Sequence, residues 1–413
     1  MKYEYLIFFL GVENENELKA VISNSYHTIS KICKEYKKIY FVNVYSLKFF
    51  SNKNEINNKV FNDFNLGDHV KFISFSNYLK FMNFLRKKKI VGISFGFGTT
   101  YSDLLLNIIM GIYDIKHVQI QNVGNDQVLA IATTNKFKRF LYFYLRDRLS
   151  RKLTSILSFL GITQKIEIRF VSNSKTIVYR NNNSFKKLRS KLNLFQVKEF
   201  ILINSRSYDI LKENLLEIDE KYIVLLDEQL NEEQFLRFRE AYSEQEISKH
   251  YLRLNQSLKK LSHDLNKEVI VTLHPYDNIE YKKKLFKDFK VVKFRTREFI
   301  YKSFLILFFE SSAITDALLL NKNMALIKSK FLDKNLTDAQ SMYENNFNLS
   351  YLNIDEPFEK TFNNENLSQL GILKSKEQLK KDYKQYLEDF VSRANDNTEG
   401  YKKIISEINK RYF

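Results

Sequence analysis

Along the whole chain, short apolar runs alternate with longer charged stretches of helical period, and this alternation constrains the fold most strongly. It is typical of α/β proteins with parallel sheets, in which strands and crossover helices follow one another. The predicted strands of a first series span residues 3–10, 38–44, 70–74, 90–94, 117–121 and 165–171. Those of a second series span residues 200–204, 222–226, 269–273, 290–294, 304–309 and 324–327.

A basic, Asn-rich stretch over residues 180–191 separates the two series, and we interpret it as a domain boundary. The length of 413 residues is enough for two domains, and a hydrophobic content of 44% is enough for two cores. We predict an amino-terminal Rossmann-like domain over 1–190, a second domain over 191–385 and a final helix over 386–413. Two such units are typical of an enzyme with an interdomain cleft.

The charge balance indicates an anionic partner. Lys and Arg number 66 against 48 for Asp and Glu, which gives a formal net charge of +18. Such a surface attracts nucleic acid, anionic lipid or phosphorylated small molecules. The basic residues are spread along the chain without a zinc, helix-turn-helix or RNP signature, so we predict no nucleic-acid partner. The single cysteine excludes a disulfide framework and a Cys-rich zinc module.

The distribution of glycine restricts how a phosphate could be bound. None of the ten glycines lies between Gly161 and Gly371. The second domain therefore has no glycine-rich phosphate loop of the Walker or Rossmann type. A phosphate bound there must be held by side chains and by helix N-termini.

A histidine follows a β-branched strand in the second domain. The apolar run 269–273 is followed by His274 and then by Pro275. The proline stops the strand and favours an extended backbone at His274. This places an imidazole at the carboxyl end of a parallel strand, where α/β folds bind ligands. The alternative is a strand-end histidine that only hydrogen-bonds to its loop.

Two further strands of the second domain also end in polar residues. Glu310, Ser311 and Ser312 follow the run 304–309 and precede a predicted helix, so their hydroxyls could receive a phosphate or simply cap that helix. Asp227 and Glu228 follow the run 222–226. These carboxylates could activate a hydroxyl, or they could be solvated acids at the start of a helix.

The order of the His-Pro and Ser-Ser elements resembles the nucleotide-binding half of bacterial sialyltransferases, polysialyltransferases and related Kdo and nonulosonate transferases. The resemblance covers residues 200–330 and implies a GT-B architecture, with two Rossmann-like domains facing across a cleft. It implies a glycosyltransferase that moves a sialic-acid-like sugar from a CMP-sugar to a glycan of a capsule or lipopolysaccharide. His274, Pro275, Glu310, Ser311 and Ser312 would then hold the CMP-sugar.

The same resemblance assigns catalytic roles to His274, Asp227 and Glu228. His274 would assist departure of the CMP phosphate, and the Asp227-Glu228 pair would match the family's acid-acid-Gly motif, with Gln229 in place of the glycine. A CMP-sugar carries its own phosphate leaving group, whose charge needs neutralising more than it needs a metal. We therefore expect neither a metal nor a cofactor.

In GT-B enzymes the amino-terminal domain usually holds the acceptor. Two polar strand ends of the first series could do so here, although both could be ordinary turns. The residues concerned are Ser94, Gly96, Gly98, Asn122 and Asp126.

Residues 136–153 combine aromatic and basic side chains at helical spacing. An interfacial helix on anionic lipid has this pattern, and so does a core helix whose basic stems extend to solvent. The membrane interpretation suits a lipid-linked glycan acceptor. It predicts a cytoplasmic protein, peripheral at the inner face of the inner membrane.

A different class of enzyme is an α/β-hydrolase. Residues 92–96 match the G-x-S-x-G nucleophile elbow, and Ser94, Asp227 and His274 follow in the order that such a triad requires. This alternative leaves Ser311, Ser312 and the second sheet without a role. A GT-B transferase that uses another nucleotide sugar is the remaining alternative.

Overall fold

The computed structural model describes residues 3–10, 15–44, 61, 63–75, 77–86, 88–95, 108–121, 166–171, 197–213, 219–228, 242–274, 277–311, 313–332, 334–355, 361–391 and 396–413. Their contacts divide them into two compact units. The first unit contains the described residues up to Ile210 and those from Asp389 onward. The second contains the described residues of Leu211–Glu388.

The described part of the first unit is built on a seven-stranded parallel sheet in the order β3-β2-β1-β4-β5-β6-β7. The first six strands have the classic Rossmann order, and β7 extends the sheet at one edge. The strands are β1 Tyr5–Leu10, β2 Ile39–Asn43, β3 Val70–Ser74, β4 Ile90–Ser94, β5 Lys116–Gln121, β6 Ile166–Val171 and β7 Val197–Leu202. The helices are α1 Glu15–Glu35, α2 Tyr78–Leu85, α3 Arg206–Glu213, which runs past the unit boundary, and, at the chain end, α11 Gly400–Tyr412.

The apolar runs form strands because both faces of this sheet are covered. Along β1, Leu6 and Phe8 belong to one core cluster, whereas Ile7 and Phe9 belong to the cluster on the other face. Side chains that alternate across a strand must all be apolar when both faces are buried, which explains the continuous run. Phe8 also stacks on Phe41 of the neighbouring strand, with ring centroids 4.5 Å apart.

The last helix returns to the first unit. Ile404 and Ile408 of α11 join the same core cluster as α1. Its first residue, Gly400, donates its backbone N–H to Oδ1 of the buried Asp209 at 2.7 Å. A Cβ atom at Gly400 would lie 2.4 Å from the carbonyl oxygen of Asn204, so only glycine fits.

The structure differs from the sequence analysis at the domain boundary. The strand that we placed first in the second series is β7, and it pairs with β6 of the first sheet from Val197 to Leu202. An apolar run indicates a strand but not its partner, because pairing depends on residues far away in the chain. The first unit therefore extends past residue 190 and includes α11, which lies within the helix expected at 386–413.

The described part of the second unit is built on a six-stranded parallel sheet in the order β10-β9-β8-β11-β12-β13, again the Rossmann pattern. The strands are β8 Tyr222–Leu226, β9 Glu268–Leu273, β10 Lys290–Lys293, β11 Ser303–Phe308, β12 Asn323–Lys328 and β13 Ser350–Asn353. The helices are α4 Glu244–Leu265, α5 Ile279–Leu285, α6 Thr296–Tyr301, α7 Ile314–Leu319, α8 Lys334–Phe347, α9 Asn364–Gln369 and α10 Lys376–Phe390.

Local signals explain the bounds of α4, which packs on this sheet. Ser243 and Glu246 form a capping box at its start, and Asn266 ends it in the left-handed conformation with φ of 50°. Its buried apolar residues recur every three or four positions and join the core of the second sheet. They are Ile247, Tyr251, Leu254, Leu258 and Leu261.

Candidate functional site

The strand order of the second sheet defines one place where a ligand is expected. The chain adds β9 and β10 on one side of β8 and adds β11, β12 and β13 on the other. The switch point therefore lies between β8 and β11, and α/β sheets bind ligands outside the carboxyl ends of the strands at such a point. Asp227 and Glu228 follow β8, and Glu310 and Ser311 follow β11. His274 follows β9, the other neighbour of β8.

The sequence candidates of the second domain thus lie at one edge of one sheet. His274 and Ser311 follow strands on either side of β8, so their backbones are two strand spacings apart, about 10 Å. Pro275 and Ser312 lie outside the described residues.

Asp227 is enclosed. Its side chain is 1% exposed, and its Oδ2 atom accepts a hydrogen bond from Nζ of Lys282, whose side chain is 6% exposed. The hydroxyl of Tyr251 lies 3.4 Å from both carboxylate oxygens. Burial raises the pKa of the Asp227 carboxyl, and the Lys282 ammonium opposes that shift.

Lys282 of α5 connects the loops that follow β8 and β9. Besides Asp227, its Nζ atom donates to the carbonyl oxygen of Glu228 at 2.9 Å and to the hydroxyl of Tyr251 at 2.6 Å. It also lies 4.0 Å from Oδ1 of Asp277. Burial alone would lower the pKa of Lys282, but Asp227, Tyr251 and Asp277 raise it above its usual value, so the ammonium stays charged.

The turn that carries His274 is closed by Asp277. The backbone N–H of His274 donates to Oδ2 of Asp277 at 2.9 Å, and the N–H of Asp277 donates to the carbonyl oxygen of His274 at 3.0 Å. Lys293, at the end of β10, donates to the Asp277 carbonyl oxygen at 2.9 Å. Although His274 is accessible to solvent, partial desolvation of its ring and the charge of Lys293 lower its pKa. The imidazole is therefore mostly neutral at pH 7.

At the end of β11, Ser311 begins a turn into α7. Its Oγ atom accepts a hydrogen bond from the backbone N–H of Ala313 at 3.2 Å, which closes a short turn before the helix. Ala313 is the N-cap residue of α7, so Ser311 does not cap this helix.

Two acids of the site affect the pKa of one buried phenol. Burial raises the pKa of Tyr343 well above its usual value, and the nearby Glu310, Tyr386 and Glu228 raise it further. The charges of the acids after β8 and β11 thus both raise the pKa of this one hydroxyl. Gln340, one turn earlier in α8, donates to the carbonyl oxygens of Phe309 at 3.3 Å and Ile327 at 2.8 Å. These bonds fix α8 against the ends of β11 and β12.

In the first unit, Ser94 does not have the geometry of a nucleophile elbow. It is the last residue of β4 and is fully buried, whereas an elbow serine lies on the turn after the strand with an exposed hydroxyl. Its Oγ atom is 2.8 Å from Nε2 of His117, on the neighbouring strand β5. Burial and the charge of Arg169 lower the pKa of His117 to about 3, so this histidine is neutral.

The other acceptor-side candidates, Gly96, Gly98, Asn122 and Asp126, lie outside the described residues, as does the segment 136–153. Among the residues that the structure describes, no helix is both long and apolar enough to cross a membrane. Nor do three or more His, Cys, Asp or Glu side chains come together there in a way that could hold a metal ion.

The sequence analysis did not identify Lys282, Tyr251, Asp277 or Lys293. Lys282 begins a run of three lysines, and nothing in the sequence separates it from the exposed Lys283. Tyr251 lies on the apolar face of α4 and resembles a core residue. Asp277 offered a weak signal, because Asp is enriched in turns and this one lies two residues after Pro275 in the sequence.

No family model matches the chain, and no curated protein does. Solved structures do. The wall teichoic acid polymerase TagF, as its H444N variant, is similar with a TM-score of 0.52 and 11% identity over 98% of this chain and 88% of that chain. The same variant soaked with CDPG gives a TM-score of 0.51 with 12% identity and the same coverage. UGT89C1 of Arabidopsis thaliana, complexed with UDP, gives 0.50 with 9% identity over 98% of each chain.

The two parallel Rossmann sheets and this likeness show the GT-B fold. The α/β class and the two Rossmann-like domains predicted from the sequence are confirmed.

Proposed function

We propose that the protein is a glycosyltransferase that takes its sugar from a nucleotide-activated donor. One observation carries this proposal: Glu228 and Ser311 follow β8 and β11, the two strands that flank the switch point of a Rossmann sheet, and His274 follows the adjacent strand β9. The GT-B fold supports it. So do the nucleotide ligands of two similar structures, UDP with UGT89C1 and CDPG with TagF.

The proposed donor is a CMP-linked acidic sugar of the sialic (nonulosonic) type. The order of His274-Pro275 and Ser311-Ser312 along the chain supports this choice. The lack of glycine between Gly161 and Gly371 supports it as well, because the phosphate must then be held by side chains. A net charge of +18 favours an acidic donor and an acidic glycan.

In the proposed reaction the bond between the anomeric carbon and the phosphate oxygen breaks, and CMP leaves with the electron pair. The acceptor hydroxyl oxygen forms the new bond to that carbon, and its proton passes to the Glu228 carboxylate. His274, Ser311 and Ser312 donate hydrogen bonds to the phosphate, with Pro275 and Glu310 shaping their loops. Asp227 keeps Lys282 in place and so fixes the Glu228 loop.

The proposed acceptor is a glycan of a bacterial capsule or lipopolysaccharide, held by the first unit. Because the Ser94 hydroxyl is enclosed, contact with the acceptor falls to the segments that contain Gly96, Gly98, Asn122 and Asp126. Residues 136–153 would hold the protein at anionic lipid on the inner face of the inner membrane, on the cytoplasmic side.

A second candidate is a GT-B transferase that uses a UDP- or CDP-linked donor. The bound UDP of UGT89C1 and the CDPG soaked into TagF favour it. The hydrolase alternative has no comparable support, since Ser94 is buried against His117.

A thermal-shift screen of CMP, CDP, UDP and GDP at equal concentrations tests the proposal. CMP at 100 times its Kd would stabilise the folded protein by about 2.7 kcal/mol, which raises the melting temperature by several degrees. Stabilisation by CDP or UDP alone would select the second candidate. If none of the four nucleotides raises the melting temperature, the transferase proposal is wrong.

A further inference from the structure

Phe294 has a backbone conformation that its side chain disfavours. It follows β10 with φ of 65°, in the left-handed region. The other non-glycine residues with positive φ in the described part of the chain are all Asn or Asp, which tolerate this region. These are Asn65, Asp114, Asn266, Asn321 and Asn348. A bulky residue in the left-handed region is a genuine outlier, and such strain concentrates at functional sites.

Burial does not compensate for this strain. The Phe294 residue is 53% exposed, so its ring gains little from the hydrophobic core. Its ring lies near Lys293, whose Nζ atom is 5.1 Å from the ring centroid. An asparagine or glycine would satisfy the backbone better. Contacts within the folded chain therefore do not explain why a phenylalanine occupies this position.

The position of Phe294 beside His274 offers an explanation. Lys293 is paired with Leu273 across β10 and β9, so Phe294 and His274 are the next residues on neighbouring strands. The same Nζ atom of Lys293 that lies over the Phe294 ring donates to the carbonyl oxygen of Asp277, in the His274 turn. An exposed aromatic ring and an ammonium group thus lie directly beside the proposed phosphate site.

We propose that Phe294 is a stacking surface for the base of the donor nucleotide, an inference that rests on the proposed function. β10 is two strands from β8, about 10 Å, and it is adjacent to β9, the strand that His274 follows. Every nucleobase has a π-face that stacks on an aromatic ring. Lys293 adds a positive charge next to the ribose and phosphate. The strained backbone turns the ring toward solvent, where a ligand can reach it.

Three variants test this inference: Phe294→Asn, Phe294→Gly and Phe294→Tyr. Two quantities are measured on the full chain, the melting temperature without ligand and the Kd for CMP. Asn and Gly relieve the strained φ but remove the ring, so we expect CMP affinity to fall about tenfold while the melting temperature does not fall. Tyr keeps the ring and should bind CMP as wild type does.

Asn321→Gly is the matched control, because Asn321 also has positive φ, at 50°, but lies at the turn before β12. It should leave the Kd unchanged. Unchanged affinity in Phe294→Asn and Phe294→Gly would overturn the stacking role while leaving the proposed function intact. A melting temperature that falls by several degrees in both would also overturn it, since the ring would then be structural. Failure of wild-type protein to bind CMP, CDP or UDP would overturn both proposals.

Discussion

The Nζ atom of Lys282 contacts Oδ2 of Asp227 at the carboxyl end of β8, and both side chains are almost fully buried. This ion pair joins α5 to the loop after β8, and through Asp277 it reaches the turn that carries His274. Two of the three strand ends at the proposed nucleotide site therefore depend on one lysine.

We expect Lys282→Met to destabilise the second unit strongly. Removing one partner of a buried ion pair leaves an uncompensated charge, which costs about 3–5 kcal/mol. The melting temperature of the second unit, measured by calorimetry, should fall by roughly 10 °C. The double variant Asp227→Leu/Lys282→Met should recover much of that loss, because both charges are then gone.

Lys283→Met is the matched control for this experiment. The Lys283 side chain is 52% exposed and pairs with Glu280, so its removal should change stability by no more than about 0.5 kcal/mol. Equal effects of Lys282→Met and Lys283→Met would show that the buried pair does not stabilise the unit.

A second prediction concerns acid stability. His250 of α4 is 3% exposed, and burial lowers its pKa to about 4, against an ordinary value near 6.5. The unfolded chain then binds a proton that the folded chain does not, so stability falls as the pH is lowered from 6.5 to 4. The loss attributable to His250 is roughly 3 kcal/mol, at 1.36 kcal/mol for each pKa unit.

The variant His250→Phe keeps a ring against Phe331, whose centroid lies 4.7 Å from that of His250. Its melting temperature should decline less steeply than that of wild type between pH 6.5 and 4. His263→Gln, at a side chain that is 88% exposed, should follow the wild-type curve because that side chain stays in water. Parallel curves for His250→Phe and wild type would contradict the assignment of a neutral buried histidine.

The sequence predicts those features of the structure that are determined by neighbouring residues in the chain. The ends of β8, β9 and β11 were predictable because each continuous apolar run stops where polar residues begin. The candidate site residues Asp227, His274 and Ser311 follow these ends. The edge strand β13 was missed because its four residues, Ser350–Asn353, include a single apolar aliphatic residue.

Other features depend on contacts that no local pattern records. The partner of β7 and the return of α11 to the first unit are set by packing between distant segments. Lys282 is buried and Lys283 is exposed although they are neighbours of the same type, because only one of them faces the carboxylate of Asp227.

A third prediction concerns that returning helix. Gly400→Ala would place a Cβ atom 2.4 Å from the carbonyl oxygen of Asn204, so the start of α11 must shift. Overpacking of this kind costs about 1–3 kcal/mol, and the melting temperature of the first unit should fall by about 5 °C. Ser406→Ala, on the exposed face of the same helix, should leave it unchanged. If Gly400→Ala melts like wild type, the close approach to Asn204 does not constrain the helix.

The central claim is that His274 acts on the phosphate of a nucleotide-linked sugar. The most direct test is the rate of CMP release from a CMP-linked nonulosonic sugar in the presence of an acceptor glycan, compared between wild type, His274→Ala and the control His263→Ala. We predict that His274→Ala lowers kcat/KM by roughly 100-fold or more, since hydrogen-bond stabilisation of the charge that develops on a leaving group contributes about that much, while His263→Ala matches wild type. Turnover by His274→Ala at the wild-type rate would contradict the account.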